Sequence, residues 1–335
     1  MRKDYLPSSN IQTIYYGGGT PSLLNDKELN LIFNTIQKHF SIANEVEITL
    51  EANPDDLSTD RLKMLRNSPV NRLSIGVQSF FKEDLEFMNR AHNASEAERS
   101  IKLAQDFGFD QLSIDLIYGS PTTTNERWAA NVQKLIDWEI PHLSCYCLTV
   151  EPGTALDHFV KKGTAAPVDD IKATAQFNYL METLHVAGYE HYEVSNFAKP
   201  DQYALHNTNY WRGIPYLGIG PSAHSFDGPS RQWNVANNMK YLQAIDDGTS
   251  SFEKEILSPA DQYNEYVMTA LRTQWGVDIL KIKKEWGEEM SRNFEAGMVP
   301  IIERGEAIQQ ENHYILTRQG RLLADGIAGG LFMDM

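Results

Sequence analysis

Polar residues and glycines follow the ends of successive apolar segments in the first half of the chain. Three glycines and a threonine, residues 17–20, come directly after the β-prone segment IQTIYY. Glycine at such a place either makes a turn or lets a ligand approach the backbone. Glu51, Gln78 and Asp115 occupy comparable positions in EANPDDL, IGVQSF and DLIYGSP. Together these groups predict one polar site for a small molecule that carries hydroxyl, amine and carboxylate groups.

Each of these residues also has an ordinary structural explanation. The glycine run matches neither a P-loop nor a dinucleotide fingerprint, and alone it indicates a turn. Glu51 and Asp115 could cap a following helix or pair with an arginine, and Gln78 could bond to neighbouring backbone. The combination of all of them at strand ends is what favours a ligand site.

The elements that position these residues alternate between strand and helix. Short apolar runs such as VEITLEANP and PHLSCYCLTV are separated by amphipathic segments such as LSTDRLKMLRNS, for which Ser58 is a candidate N-cap. A second such helix is predicted to end near Gly108. This βα repeat predicts a parallel sheet with crossover helices, and ligands bind such sheets at the carboxyl ends of the strands. Periodicity leaves open whether the sheet is doubly wound or a barrel.

The pattern changes in the last third of the chain. Residues 190–233 are rich in aromatic residues, Asn, Gly and Pro, which predicts loops and short strands. Beyond Pro259, two helical segments precede a short hairpin and a last helix. We therefore predict a small α+β domain of winged-helix type, with domain limits of 1–250 and 251–335.

Composition limits the function classes. The chain of 335 residues has a formal net charge of -15, which argues against non-specific nucleic-acid binding and a basic membrane-surface patch but not against a local basic pocket. No apolar run reaches membrane-spanning length and no signal peptide is recognisable, so a cytoplasmic location is expected. Peripheral association with a membrane is left open.

The two cysteines, Cys145 and Cys147, exclude a disulfide framework. Two thiols one residue apart cannot alone supply three or four ligands to an iron–sulfur cluster. Both are therefore interpreted as small core residues of the fifth strand, where positions i and i+2 share a face.

Several motifs carry a family resemblance. GGGTPSLL, EANPDDL, NRLSIGVQSF, MNRAHN, DLIYGSP and LSCYCLTVEPGT resemble, in this order, the radical S-adenosylmethionine (SAM) proteins related to oxygen-independent coproporphyrinogen-III oxidase. EVSNFAKP, HNTNYW and YLGIGPSAHSF are similar to the haem-chaperone (HemW) branch of that family. The resemblance covers nearly the whole chain.

The resemblance implies a partial (β/α) barrel, with its first βα unit missing, and a small C-terminal domain. It matches Gly18, Gly19 and Thr20 to the amino and carboxylate end of S-adenosylmethionine. Further cofactor contacts are implied by motif position at the four residues Glu51, Gln78, Arg90 and Asp115. Arg90 also has an alternative interpretation as a surface helix charge.

The chain departs from the family in one feature. Radical SAM proteins carry a C-x-x-x-C-x-x-C loop whose cysteines bind a [4Fe–4S] cluster, and this chain has no such loop. Because the sequence begins where the family's second strand begins, we expect that a βα unit of roughly 30 residues is missing before Met1, through truncation or a misplaced start. The alternative is a lineage that lost its cluster.

The HNTNYW motif is associated, through the resemblance, with haem. His206 is the candidate axial ligand to iron, and Tyr210 and Trp211 are candidates to pack on the porphyrin. His224, in PSAHSF, is a second candidate, but the glycines near it indicate a tight structural turn. The alternative for His206 is a polar residue that fixes a loop.

The sequence thus predicts a haem chaperone that binds haem and delivers it to haem-dependent proteins, with S-adenosylmethionine and a [4Fe–4S] cluster as the family's cofactors. The rival hypothesis is oxygen-independent coproporphyrinogen-III oxidase, a radical decarboxylase of porphyrin biosynthesis. A carrier needs a haem ligand and a partner surface, whereas the oxidase needs the cluster and contacts to substrate carboxylates. HNTNYW favours the carrier.

Overall fold

The computed structural model describes residues 4–249 and 251–333, and the chain divides into two compact units. One unit consists of Ile11–Lys38 and Ile42–Leu205 and is here called the barrel unit. The other consists of His206–Met335 with Met1–Asn10 and His39–Ser41 and is here called the C-terminal unit. The predicted domain limit after residue 250 stays a prediction.

Up to residue 186 each strand is followed by one helix or, after β3 and β5, by two helices, and short strands follow. The elements up to Leu205 are β1 (Asn10–Tyr16), α1 (Asp26–His39), β2 (Ser41–Ala52), α2 (Thr59–Arg66), β3 (Arg72–Gln78), α3 (Lys82–Phe87), α4 (Ala94–Asp106), β4 (Gln111–Tyr118), α5 (Asn125–Asp137), β5 (His142–Cys147), α6 (Ala155–Lys161), α7 (Asp170–Val186), β6 (Glu190–Glu193) and β7 (Asn196–Ala198). The predicted α/β pattern is therefore confirmed.

These strands form one seven-stranded half-barrel in the order β1-β2-β3-β4-β5-β7-β6. Strands β2 to β5 pair in parallel, and β7 pairs antiparallel with both β5 and β6. The predicted partial barrel is confirmed, and of the two alternatives that periodicity left open, the doubly wound sheet is wrong. The antiparallel strands at one edge add to the five that the sequence predicted.

Alternation along the strands separates an apolar face from a polar one. Leu50 of β2, Ile75 of β3 and Ile114 of β4 are fully buried. Helices α5 and α7 lie on this face, where Trp128 and Phe177 place their rings 5.6 and 5.7 Å from that of Tyr118. Burying each such side chain contributes about 1.5–3 kcal/mol, so this helix-covered face is the core of the unit.

Helix ends follow the sequence signals. The Ser58 side chain accepts a hydrogen bond from Arg61 N–H, which confirms the predicted N-cap of α2. Helix α4 ends at Asp106, and Gly108 just beyond it has a φ of +77°, the left-handed conformation that stops a helix.

The C-terminal unit contains two small sheets and most of the remaining helices. Its elements, and the helix that leads into it, are α8 (Leu205–Trp211), β8 (His224–Phe226), β9 (Ser230–Asn234), α9 (Asn238–Asp246), β10 (Phe252–Ile256), α10 (Pro259–Leu271), β11 (Val277–Asp278), α11 (Ile279–Trp286), α12 (Glu288–Glu303), β12 (Ala307–Gln310), β13 (His313–Leu316), α13 (Arg318–Arg321) and α14 (Ala324–Gly329). The sheets have the orders β10-β9-β8 and β11-β13-β12.

Helices α10 to α12 precede the antiparallel β12–β13 hairpin, which β11 extends to three strands. This helices-then-hairpin order is the small α+β arrangement that the sequence predicted. Among the residues that the structure describes, none of the helices combines the length and the hydropathy needed to cross a bilayer.

Candidate functional site

The face of the half-barrel opposite the helix-covered core is polar. Glu51 pairs with Ser74 across β2 and β3, and Asp115 lies beside Gly76 of β3 and Ser144 of β5. Successive side chains of a strand alternate between faces, so these residues share one side of the sheet. The other polar members of this side are Glu47, Thr49, Arg72, Ser113, His142 and Tyr146.

The glycine run after β1 is held against Glu51. Gly18 N–H donates a 3.0 Å hydrogen bond to Glu51 Oε2, and the Tyr15 hydroxyl donates one of 2.7 Å to Oε1. Gly18 and Gly19 have φ angles of +76° and +61°, and a Cβ at either would have no neighbouring heavy atom within 4 Å. Within the described part of the chain, the N–H groups of Gly19 and Thr20 donate to no acceptor. Bare backbone with unused N–H donors suits the carboxylate of a ligand.

Tyr15 keeps Glu51 in place as an acceptor. Burial raises the pKa of the Tyr15 phenol, and the charge of Glu51 and the hydrogen bond to it raise that pKa further. The phenol therefore stays protonated and donates. Sequence reasoning missed Tyr15, although its position two residues before the first glycine could have indicated it.

Asp115 is the most perturbed carboxyl group of this face. Desolvation raises its pKa from 3.8 to about 7, and the charge of Glu51 adds to the rise. Hydrogen bonds from Ser144 and Ser74 and the charge of Arg90 oppose it, the Ser74 hydroxyl lying 3.4 Å from Oδ1. Asp115 is therefore near half-ionised at neutral pH, and a cationic ligand beside it would favour the carboxylate.

Gln78 ends β3 in an unusual conformation. Its φ of +68° lies in the left-handed region, and the pairing with β4 shifts register between Gly76 and Gln78. A non-glycine residue held there costs on the order of 1–3 kcal/mol. Its side-chain Oε1 is buried without a hydrogen-bond partner among the described residues. Strain together with an unsatisfied acceptor is typical of a ligand site.

Arg90 lies just after α3 and reaches the end of β3. Its Nη2 donates to Asn53 Oδ1 at 2.9 Å and to Gly76 O at 3.0 Å. Its Nε is buried, and no acceptor within the described residues satisfies it. The alternative interpretation of Arg90 as a surface helix charge is therefore wrong.

The structure thus brings the predicted cofactor residues to one end of the sheet. A Cβ at Gly76 would lie 3.1 Å from Gln78 Nε2 and 3.4 Å from Arg90 Nη2, and one at Gly17 would lie 3.2 Å from Glu51 Oε1. An amine, a carboxylate and ribose hydroxyls all find complementary groups here. This donor and acceptor set fits S-adenosylmethionine.

Deeper on the same face lies a buried network that sequence reasoning missed. His142 Nδ1 is 2.7 Å from Ser113 Oγ, and its Nε2 is 2.7 Å from the Tyr192 hydroxyl. Burial lowers the pKa of His142 well below 6.5, and the charge of Arg72 lowers it further. The imidazole is therefore neutral and satisfied on both nitrogens, a structural role that alternation along β5 could have indicated.

The cysteines do not share one environment. Cys145 is buried as predicted, but Cys147 is exposed at the end of β5, so its interpretation as a core residue is wrong. Burial raises the pKa of both thiols. Neutral thiols are poor metal ligands, and among the described residues no group of three His, Cys, Asp or Glu side chains could hold a metal ion. The residues present do not fit a [4Fe–4S] cluster.

The HNTNYW motif, together with Leu205 before it, forms the seven-residue helix α8, so the predicted loop is wrong. His206 is half-buried and lies one turn before Tyr210, so the two share a helix face. The Tyr210 and Trp211 rings meet edge to face at 5.4 Å, and the Arg272 guanidinium lies 5.2 Å from the centre of the Trp211 ring. The helix therefore presents an imidazole and two aromatic rings from adjacent turns.

His224 lies on β8 rather than in the predicted tight turn. Its side chain is exposed, and its ring stacks 6.1 Å from that of Trp233. Gly218 is required beside it, because a Cβ there would lie 2.0 Å from the His224 carbonyl oxygen. His224 thus serves as a natural control for His206 in the same unit.

Sequence comparison finds two families within the chain. The Radical SAM superfamily matches residues 3–135, and the HemN C-terminal domain matches residues 257–323.

Several similar proteins carry the name heme chaperone HemW. The heme chaperone HemW of Bacillus subtilis is 30% identical over 97% of this chain and 86% of its own length. That of Mycobacterium tuberculosis is 31% identical over 96% of this chain and 81% of its own length. That of Escherichia coli is 39% identical over 66% of this chain and 57% of its own length.

A solved structure shares the fold. Coproporphyrinogen III oxidase (HemN) from Escherichia coli superposes with a TM-score of 0.81 over 97% of this chain and 78% of its own, at 24% sequence identity. At this identity the likeness concerns the fold alone.

Proposed function

The chain belongs to the heme chaperone HemW family of the radical SAM superfamily, and on this premise we propose that it binds haem and delivers it to haem-dependent proteins. The observation that carries the proposal is the near full-length similarity to relatives that bear this name. The fold likeness to the oxidase does not favour decarboxylation, because 24% identity supports only the architecture.

The proposed haem ligand is His206. A half-buried imidazole can bind iron through one nitrogen while the protein orients the ring. Tyr210 is 45% exposed, so part of its ring remains free to pack on a porphyrin face. The short helix fixes the spacing between the ligand and these rings.

The proposed cofactor site is the polar end of the half-barrel, and its cofactor is S-adenosylmethionine. Gly18, Gly19 and Thr20 would hold the amino and carboxylate end with main-chain groups. Glu51 and Asp115 would accept hydrogen bonds from hydroxyl or amine groups, and Arg90 with Gln78 would satisfy the remaining polar atoms. The bound cofactor supplies a sulfonium cation, and these residues bind and orient it. The unsatisfied Gln78 and Arg90 atoms support this assignment.

The cluster has no counterpart in the residues of this chain. Two cysteines on one strand, one buried and one exposed, cannot provide three thiolates to one cluster.

An optical titration tests the haem site. Wild-type protein, His206→Ala and His224→Ala are titrated with haem, and Soret spectra and affinities are compared. If His206 is the axial ligand, its loss shifts the Soret band and weakens binding about tenfold or more, whereas loss of the exposed His224 changes neither.

Unchanged spectrum and affinity in His206→Ala would remove His206 from the site. Product analysis with coproporphyrinogen III under anaerobic reducing conditions completes the test, because decarboxylated product would favour the oxidase hypothesis.

A further inference from the structure

We propose that a cavity of the C-terminal unit, whose wall carries Arg212, Arg231 and Lys281, binds the propionate groups of the haem that His206 ligates. This inference rests on the proposed haem-binding function and adds to it the part of the protein that recognises the carboxylate edge. The cavity has a volume of about 320 Å³ and is built from α8, α10, α11 and the β8–β9 hairpin.

The cavity walls are aromatic on two sides. Tyr210, Tyr216 and Phe226 form one side. The Tyr216 ring centre lies 5.7 Å from that of Tyr210 and 6.2 Å from that of Phe226. Tyr266 and Trp286 form the other, stacked at 5.6 Å with 19° between their planes. Aromatic walls of this kind accept a flat apolar ligand edge.

The cavity is basic on a strongly acidic chain. Three cations, Arg212, Arg231 and Lys281, and two carboxylates, Glu265 and Glu285, line it, whereas the whole chain carries -15. A local excess of positive charge is therefore retained where the rest of the surface is negative. Such a site favours an anion.

Two of the three cations, Arg212 and Lys281, form no ion pair with the lining carboxylates within the described residues. Only Arg231 forms an ion pair with one of the lining carboxylates in the described residues, through Nη2 to Glu265 at 2.9 Å, and its Nε is buried without an acceptor. Arg212 instead lies over the Trp275 ring and Lys281 over the Tyr266 ring, each at 4.3 Å from the ring centre. Both keep donors available for an anionic ligand.

The cavity is adjacent to the proposed iron ligand. Tyr210, which lines the cavity, is four residues after His206 on α8, so their Cβ atoms are roughly 6 Å apart on one helix face. Arg212 follows on the same segment. Iron bound at His206 would therefore place the porphyrin next to the cavity that is lined by the cationic side chains. The volume suits one edge of the porphyrin and its two carboxylates rather than the whole ring.

Binding of three ligands distinguishes the contribution of the carboxylates from that of the iron. Haem carries both, haem dimethyl ester lacks the free carboxylates, and protoporphyrin IX lacks the iron. Affinities are measured by quenching of tryptophan fluorescence for wild type, Arg212→Gln, Lys281→Gln, the double variant and His206→Ala. Lys284→Gln is the matched control, because Lys284 is exposed on the same helix as Lys281 and does not line the cavity.

We expect each of Arg212→Gln and Lys281→Gln to weaken haem and protoporphyrin IX binding about tenfold, since each removes a charge-assisted contact. Neither should change the affinity for haem dimethyl ester or the Soret maximum. His206→Ala should weaken haem binding but leave protoporphyrin IX binding unchanged. In wild type, esterification itself should weaken binding and reduce its salt dependence, a readout that requires no variant.

Equal affinity of wild type for haem and its dimethyl ester would overturn the inference. So would loss of affinity in Lys284→Gln equal to that in Lys281→Gln. If haem binding depends on His206 but not on the cavity cations, the inference fails and the proposed function stands. If wild type binds neither haem nor protoporphyrin IX, both fail.

Discussion

Replacing Asp115 by asparagine should make the protein more stable at alkaline pH while impairing its cofactor site. Asparagine has nearly the same shape and can still bond with Ser74 and Ser144, but it carries no charge. Folding raises the pKa of Asp115 from 3.8 to about 7, chiefly through desolvation. An acid whose pKa rises on folding holds its proton more tightly in the native state, so the free energy of unfolding falls as pH rises through this range.

The size of the effect follows from these two pKa values. Between pH 5 and pH 8 the native carboxyl changes from almost fully protonated to largely ionised, whereas the unfolded one is ionised throughout most of that range. At 1.36 kcal/mol per pKa unit, the wild type loses about 2.5 kcal/mol of stability over this interval through Asp115 alone. Asp115→Asn does not incur this loss.

The assay is urea unfolding of wild type and Asp115→Asn at pH 5 and pH 8, followed by tryptophan fluorescence. The difference in free energy of unfolding between the two proteins should shift in favour of the variant by about 2.5 kcal/mol from the lower to the higher pH. The control is Asp110→Asn, an exposed aspartate just before the same strand, which should show no such shift.

The reasoning would be refuted by a difference between wild type and Asp115→Asn that stays constant from pH 5 to pH 8. Infrared difference spectra supply an independent readout, because the protonated carboxyl band of Asp115 should disappear with a midpoint near pH 7. A midpoint near 4 would show that the carboxyl is well solvated in the folded protein.

Other expected results concern the cofactor site and the missing cluster ligands. Affinity for S-adenosylmethionine, measured by calorimetry, should rise about tenfold from pH 6 to pH 8 as Asp115 ionises, and a flat profile would contradict the contact. Gly19→Ala should cost about 1–2 kcal/mol of stability and also weaken cofactor binding. Gly163→Ala, at a similar φ of +71°, should cost as much stability without affecting binding, and equal effects on binding would remove Gly19 from the site. Anaerobic reconstitution should yield no [4Fe–4S] cluster by iron analysis and electron paramagnetic resonance, and a stoichiometric reducible signal would overturn the ligand count based on Cys145 and Cys147.

The half-barrel could be predicted because its strands have a clear sequence pattern. Apolar residues alternate with polar ones along β2 to β5, and helices with recognisable caps such as Ser58 separate them. The strand pattern also predicted that Glu51 and Asp115 converge on one site, although Asp115 lies inside β4 rather than at its end. Local periodicity and the topology of parallel sheets were sufficient for both results.

Local signals failed where tertiary contacts decide the conformation. Helix α8 is seven residues long and contains Asn, Thr and aromatic residues, which have modest helix propensity, so it was predicted as a loop. The left-handed φ of Gln78 depends on the register shift in β3, which no residue type indicates. Arg90 was assigned to the site only through the family resemblance, because no local signal distinguishes it from a surface charge; the chain path after α3 brings it to Gly76.

The central claim, delivery of haem, is tested most directly by transfer kinetics. Haem-loaded protein is mixed with increasing concentrations of a b-type apocytochrome, and the Soret band of the product is followed by stopped flow, with apomyoglobin as a passive scavenger. Delivery predicts a transfer rate that rises with apocytochrome concentration and exceeds the plateau that apomyoglobin reports. A rate that equals this plateau at every acceptor concentration would show passive dissociation and contradict the account.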